Sequence, residues 1–442
     1  MDESTSEVID LLQRLIRNRC VSEGLPSTGS ETANADLLRS HLGSSGLDVE
    51  WFEPTPGRAS LVVRIEGSDP AAPSLALMGH TDVVPADERH WQRDPFGGEL
   101  VDGEVWGRGA LDMLNQTAAM AVAVRRLAVS GWRPKGTFVY LAVADEECGS
   151  QQGAIPLLEA RPELMTDYAL TEVGGAASPG RVGTNVEVAV GEKGGCGTYI
   201  TVRGRPGHGS RPWGSDNAIV KAAEIVRRID ALRPAARISE TWRTWVDAQP
   251  FDEELRGALV DPNRVADHLQ HLDPTVATGA HACTHRTYSV NIARAGVKSN
   301  IIPDEALLVV DIRLPPGDTR EAAKRDMAEL LADFGDSVSF DVPAGGEPSL
   351  SPTDTPLWDV LASAARRAYP DATLVPTLIT GGTDGRHWRR AGKVAYGFGV
   401  LSKRLDPATY WSRFHNNDER VDIDSLALSV DTWTHVCRTF LG

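Results

Sequence analysis

The chain has 442 residues, 41% of them apolar and 24% charged, so it can bury a sizeable core and is longer than one ordinary domain. Its formal charge of −16 argues against nucleic acid and anionic membrane surfaces as partners, whose phosphates would repel it. No run is apolar and long enough to span a bilayer, and five scattered cysteines suit a reducing compartment, so a cytoplasmic location is expected.

From the amino terminus, Val8, Ile9, Leu12, Leu15 and Ile16 recur at helical spacing behind Ser and Thr caps and predict a core helix, not an export signal. The first strand-like segment, Ser74 to Gly79, delivers His80, Thr81 and Asp82 where it stops. Three more segments follow the same pattern: Thr137 to Val143, Tyr168 to Thr171 and Val394 to Phe398. Open α/β sheets place their sites beyond the carboxyl ends of parallel strands. The second segment runs into Asp145, Glu146 and Glu147 and the third into Glu172, so oxygen ligands gather on the rim that carries His80.

Imidazole and carboxylate together suit zinc, with one position left open for water. Asp82 stands two residues beyond His80 and is assigned to orient its ring by taking the other N–H. Adjacent glutamates in a confined place repel unless a cation compensates. Glu147 is therefore assigned to metal and Glu146 to proton transfer, because a general base must reach the attacking water without being held as a ligand. Cys148, next in line, is read as a small packing residue.

Near GEKGG, Gly191 to Gly195, the pattern changes and an inserted unit begins. A strand at Thr198–Arg203, a helix at Asn217–Leu232, strands at Tyr288–Ala293 and Ala306–Leu314, a helix at Arg320–Phe334 and a strand at Val338–Val342 are predicted. That order resembles a ferredoxin-like layer. The stretch from Arg233 to Arg286, with Trp242 and Trp245, fits it poorly and reads either as extra helices or as a substrate-shaping loop. In GRPGHGSRPW, flanking glycines let a tight turn project His208.

With HTDVVP, GRGALDM, the paired glutamates, Glu172 and RFHNNDER on the page, the sequence resembles the M20 family of metallopeptidases and amidohydrolases over nearly its whole length. The resemblance implies a mixed, mainly parallel α/β sheet covered by helices, spanning 1–192 and 345–442, with an inserted ferredoxin-like α+β lid at 193–344 that serves dimerisation. It implies two divalent metal ions: His80, Asp112 and Glu172 on one, Asp112, Glu147 and His415 on the other, with Asp112 bridging. Zinc is expected by ligand type, and cobalt or manganese accept the same groups. His415, followed by Glu419, suits the family's pattern better than His387 does.

By the same resemblance, His208 binds the oxyanion across a homodimer, Arg313 with Asn300 holds a free carboxylate, and Asp311 braces Arg313. The loop Gly381 to Asp384, including Gly382 and Thr383, lies beside the substrate carboxylate, where backbone N–H groups bind anions. Leu114-Asn115 stands where relatives commonly read Lys-Gly and implies altered packing of the helix beginning there. The implied reaction is hydrolysis of a small amide or short peptide with a free carboxylate by a metal-bridged hydroxide. Glu at 172 favours an aminoacylase-like substrate, a dipeptidase or carboxypeptidase is the nearest rival, and a catalytically silent dimeric binding protein is the reading from another class.

Overall fold

The computed structural model describes residues 2–24, 29–343 and 346–442. The expected domain boundary at 344/345 lies outside the described residues.

A ten-stranded sheet forms the larger layer. Its order is Glu50–Phe52, Ser60–Ile65, Phe138–Val143, Leu75–His80, Tyr168–Thr171, Val394–Gly397, Thr184–Glu192 and Ser349–Leu350, with Ala372–Ile379 and Gly174–Pro179 also paired to Thr184–Glu192. The four strands expected from sequence sit side by side and run parallel. They read as nearly continuous apolar runs because both faces are covered. Leu75, Leu77, Phe138 and Tyr140 face one core, together with the Glu3–Arg17, Leu114–Val129 and Ile423–Leu441 helices. Ala76, Met78, Val139 and Leu141 alternate to the other face, against Leu157 and Trp388.

The amino-terminal helix buries Val8, Ile9, Leu12, Leu15 and Ile16 as expected, and Asp2 caps it by accepting from the Thr5 N–H at 2.8 Å. Leu114 and Asn115 begin the Leu114–Val129 helix and are both buried. Leu114 fills the space facing Gly109, where a Cβ would come within 2.7 Å of its side chain.

The second layer is a four-stranded antiparallel sheet ordered Thr287–Ala295, Glu305–Leu314, Gly194–Arg203 and Val338–Asp341. Helices Ala218–Asp230 and Arg320–Leu331 supply Ile225, Ile229 and Met327 to its core. The expected strand–helix–strand–strand–helix–strand order is present. Only Lys193 separates Thr184–Glu192, in the large sheet, from Gly194–Arg203, in the small one. Its buried ammonium donates to the His285 carbonyl at 2.8 Å and to Thr287 Oγ1 at 3.1 Å, tying the crossover to the start of the next lid strand.

The stretch 233–286 resolves into helices, Glu240–Ala248, Glu253–Leu259, Val265–His268 and Pro274–Thr284, around Trp242, Val246, Leu259, Val265, Leu269 and Ala280. Although inserted within the lid sequence, it packs on the large sheet through Glu240–Ala248 against Ala372–Ile379.

Candidate active site

Leu75–His80 ends on His80, which is 1% exposed. Its Nδ1 lies 2.9 Å from the Asp82 carbonyl oxygen, leaving Nε2 to face Asp112 Oδ1 at 3.1 Å and Glu172 Oε2 at 3.6 Å. The orienting acceptor is therefore chiefly the main chain of Asp82, since its carboxylate stands 3.6 Å from Nδ1. That carboxylate instead accepts the N–H groups of Glu146 and Glu147, each at 3.1 Å, and so fixes the turn that carries both glutamates.

Arg58 holds the same turn from behind. It is fully buried, reaches Glu31 at 3.0 Å and Asp145 at 2.5 Å, and Asp145 accepts the Gln152 N–H at 2.8 Å. Asp145 adopts φ +65°, the left-handed region that turns the chain sharply after Phe138–Val143.

Asp112 presents Oδ1 to His80 and Oδ2 to His415 Nε2 at 2.6 Å, and His415 lies 3.3 Å from Glu147 Oε1. Two groups result, His80–Asp112–Glu172 and Asp112–Glu147–His415, and within each the candidate ligand atoms lie within 4.8 Å of one another. All five residues assigned to metal from the sequence thus converge. His387 stands apart, 3.3 Å from Asp384.

Glu419 and Arg108 link the two ligand loops. Glu419 Oε1 accepts the Leu111 and Asp112 N–H groups at 2.7 and 3.0 Å, while Oε2 pairs with Arg108 at 2.8 Å. Arg108 also donates to the carbonyls of Asn416 and His415 at 3.1 and 3.4 Å. The sequence marked Glu419 only as part of a pattern and gave Arg108 no role, although both stand inside the motifs that carry ligands.

Electrostatics explains what this crowding requires. Burial raises the Glu172 carboxyl to about 8 against the pull of His80, and Asp112 and Glu147 repel it further. Burial raises Glu147 as well, with Asp112 adding. Burial alone would lower His415, but Asp112 and Glu147 hold it at about 10. A cluster that retains protons so strongly exchanges them for cations, because divalent ions bind the deprotonated forms. Glu147 Oε1 is buried without a hydrogen-bond donor. The donor set, nitrogen and carboxylate oxygen around a shared aspartate, fits two divalent cations.

Glu146 is not in either group. Burial drives its carboxyl well above the usual range, and Glu172 and Asp384 add to that. Arg386 approaches it at 3.7 Å and donates to Ser150 Oγ at 2.9 Å. Neither residue was singled out from sequence.

The expected substrate groups are placed differently. Both donors of Thr383, N–H and hydroxyl, go to Glu192 at 2.8 and 3.1 Å, so they are not free for substrate, and Gly382 lies exposed beside it. His208 and Ile301 pair in a short two-stranded ribbon, where the ring accepts from Ser210 at 2.8 Å and Gly209 N–H donates to the Asn300 carbonyl at 2.8 Å. Arg313, near the end of Glu305–Leu314, is braced by Asp311 at 3.0 Å. Among the described residues no hydrogen bond or ion pair joins His208, Asn300 or Arg313 to the rim cluster.

Residues 76–439 match the sequence profile of peptidase family M20/M25/M40. Aminoacylase-1 of Mus musculus is 28% identical, with 98% of this chain and 95% of that protein covered. The N-fatty-acyl-amino acid synthase/hydrolase PM20D1 of Mus musculus is 28% identical over 82% of this chain and 73% of its own length. The crystal structure of an M20 family metallo-carboxypeptidase, Sso-CP2 from Sulfolobus solfataricus, has the same fold, with a TM-score of 0.72 at 18% identity over 100% of this chain and 99% of that one. The chain belongs to peptidase family M20/M25/M40 and is a metal-dependent hydrolase.

Proposed function

We propose that the protein hydrolyses the amide bond of N-acyl amino acids, using two zinc ions held by His80, Asp112, Glu147, Glu172 and His415. The observation that carries this reading is the convergence of those five side chains around a shared Asp112, with Glu146 beside them and outside both groups. The near full-length match to aminoacylase-1 supports the substrate class.

Bound divalent ions supply a lowered pKa for water and polarisation of the amide carbonyl. Glu146 takes the proton released as the water attacks. Its burial keeps that proton long enough to be delivered to the departing nitrogen. Asp82, Arg58 and Asp145 hold the Glu146–Glu147 turn in position throughout. Arg313 and Asn300 receive the free carboxylate, and His208 donates to the oxyanion.

The last three reach the rim when the unit at 193–344 acts as a lid on the unit formed by 1–192 and 345–442, His208 coming from a second copy of the chain. The face around the ribbon exposes Trp213 (97%), Val297 (92%) and Val220 (66%), an apolar surface suited to a homodimer contact. No described helix is long and apolar enough to cross a membrane, and the five cysteines are unpaired, which fits a cytoplasmic location.

Product analysis tests the reading. Metal-loaded protein is expected to release free acyl acid from N-acyl amino acids faster than amino acids from dipeptides, and Glu146→Gln is expected to lower kcat by about 10²–10⁴-fold while substrate binding persists. Faster dipeptide cleavage favours a peptidase. Binding without turnover in the unaltered protein marks a binding module.

A further inference from the structure

Between the helical insertion and the large sheet lies a cavity of about 410 Å³. Glu240–Ala248 forms one wall with Trp242 and Trp245, whose rings stack at 4.9 Å, and Pro274–Thr284 forms another. The far walls belong to the metal rim. Val173 lines the cavity and directly follows Glu172, while Tyr410 and Trp411 line it from the helix that leads to His415. Phe414 completes the link, with its ring 5.1 Å from that of His415 and 5.5 Å from that of Tyr410. The cavity is thus lined by the residue that follows Glu172 and by the helix that precedes His415.

Its chemistry is selective. No lysine or arginine lines it, so it offers nothing to a carboxylate or phosphate. Its single acidic residue, Glu187, accepts from the Trp245 indole N–H at 3.2 Å, and burial raises its carboxyl to about 7. The remaining wall is aromatic and aliphatic residues, threonines and Cys283. At about 30 Å³ per water-sized group, the space holds on the order of a dozen non-hydrogen atoms, far more than an acetyl group needs.

We propose that the 240–284 insertion and the sheet end beside Glu172 form the acyl pocket, built for a medium-length aliphatic or aromatic acyl group. This rests on the N-acyl amino acid reading above. In that reading the amino-acid carboxylate is held by Arg313 on the lid, so a cation-free cavity on the sheet side of the scissile amide takes the acyl end.

Gly279 gives the test. It lines the cavity from within the Pro274–Thr284 helix, and a Cβ there meets nothing within 4 Å, so a side chain can start at this position, and Gly279→Phe is chosen to take up cavity volume. With metal-loaded protein, kcat/KM for N-acyl alanines should rise from acetyl to octanoyl by about 100-fold, at up to about fourfold per buried methylene. Gly279→Phe should erase that rise and leave N-acetylalanine within about threefold. In a second series, at fixed acetyl and varied amino acid, the variant should change nothing.

Turnover of N-acetyl substrates with a flat acyl-length profile, unaltered by Gly279→Phe, overturns the pocket and leaves the function reading standing. A Gly279→Phe effect that follows the amino acid rather than the acyl chain overturns the placement. Absence of acyl acid release from every N-acyl amino acid removes the function reading, and this inference with it.

Discussion

The rim of the large sheet and the ribbon of the small one both carry residues assigned to catalysis, yet the chain holds them in opposite ways. His80, Asp112 and Glu172 are 1%, 3% and 5% exposed while His415 is half-exposed, and the Glu146–Glu147 turn and the Asp112 and His415 loops are clamped through Asp82, Arg58 and the Arg108–Glu419 pair. His208 and Asn300 are exposed, and the ribbon that holds them has two paired positions. Pre-organisation is therefore greater where charge must be gathered before substrate arrives. It is missing where substrate, or a second copy of the chain, must finish the site.

The sharpest way to break this contrast is at His208. His208→Ala should lower kcat by about 10²–10³-fold, the cost of one lost oxyanion donor, with metal content unchanged. Mixing it with Glu146→Gln should restore about a quarter of wild-type activity, since half the dimers are then mixed and each has one intact site. No recovery on mixing would place His208 on its own chain's rim or outside catalysis.

On the rim, Glu419→Gln removes the charge that pairs with Arg108 while keeping an acceptor for the Asp112 N–H. Metal affinity should fall about 10–100-fold, measured by competition with a chromophoric chelator, the usual cost of losing an outer partner of a ligand. Unchanged affinity would show that the ligand loops need no such link.

A third test lies away from both regions, at Glu187 in the cavity. Burial raises its carboxyl to about 7 in the folded chain, above the usual carboxylate range, so the neutral form's contribution is full below about pH 4.5 and is lost as pH rises through 7. Glu187→Gln should remove a decline of about 2 to 3 kcal/mol between those limits, read from denaturant midpoints at pH 5 and pH 8. Parallel pH profiles would show that Glu187 is solvated.

The same contrast governs what the sequence could reveal. The four parallel strands were legible because each is a short apolar run, and three of them end in polar cargo. The candidate ligands could be assigned from sequence because His80, Glu147 and Glu172 lie at those ends. Thr184–Glu192 and Ala372–Ile379 were not identified, though they pair along most of their length and wall the cavity. Their apolar residues are interrupted by Asn185, Glu187, Pro376 and Thr377, which tertiary contacts accommodate. Arg58, Arg108 and Arg386 act through partners up to 311 residues away in the chain, so spacing carried no sign of them. That both donors of Thr383 go to Glu192 left no sign in the sequence, because a glycine-rich loop near a site looks the same whichever acceptor its donors face.

Asp112 is proposed to join two cations, and counting bound metal tests that bridge directly. Wild-type protein reconstituted with zinc and freed of excess ion should hold two per chain by elemental analysis, and Asp112→Asn should lose tight binding at both sites together. A single ion in the wild type, or a variant that keeps one site at full affinity, would contradict it.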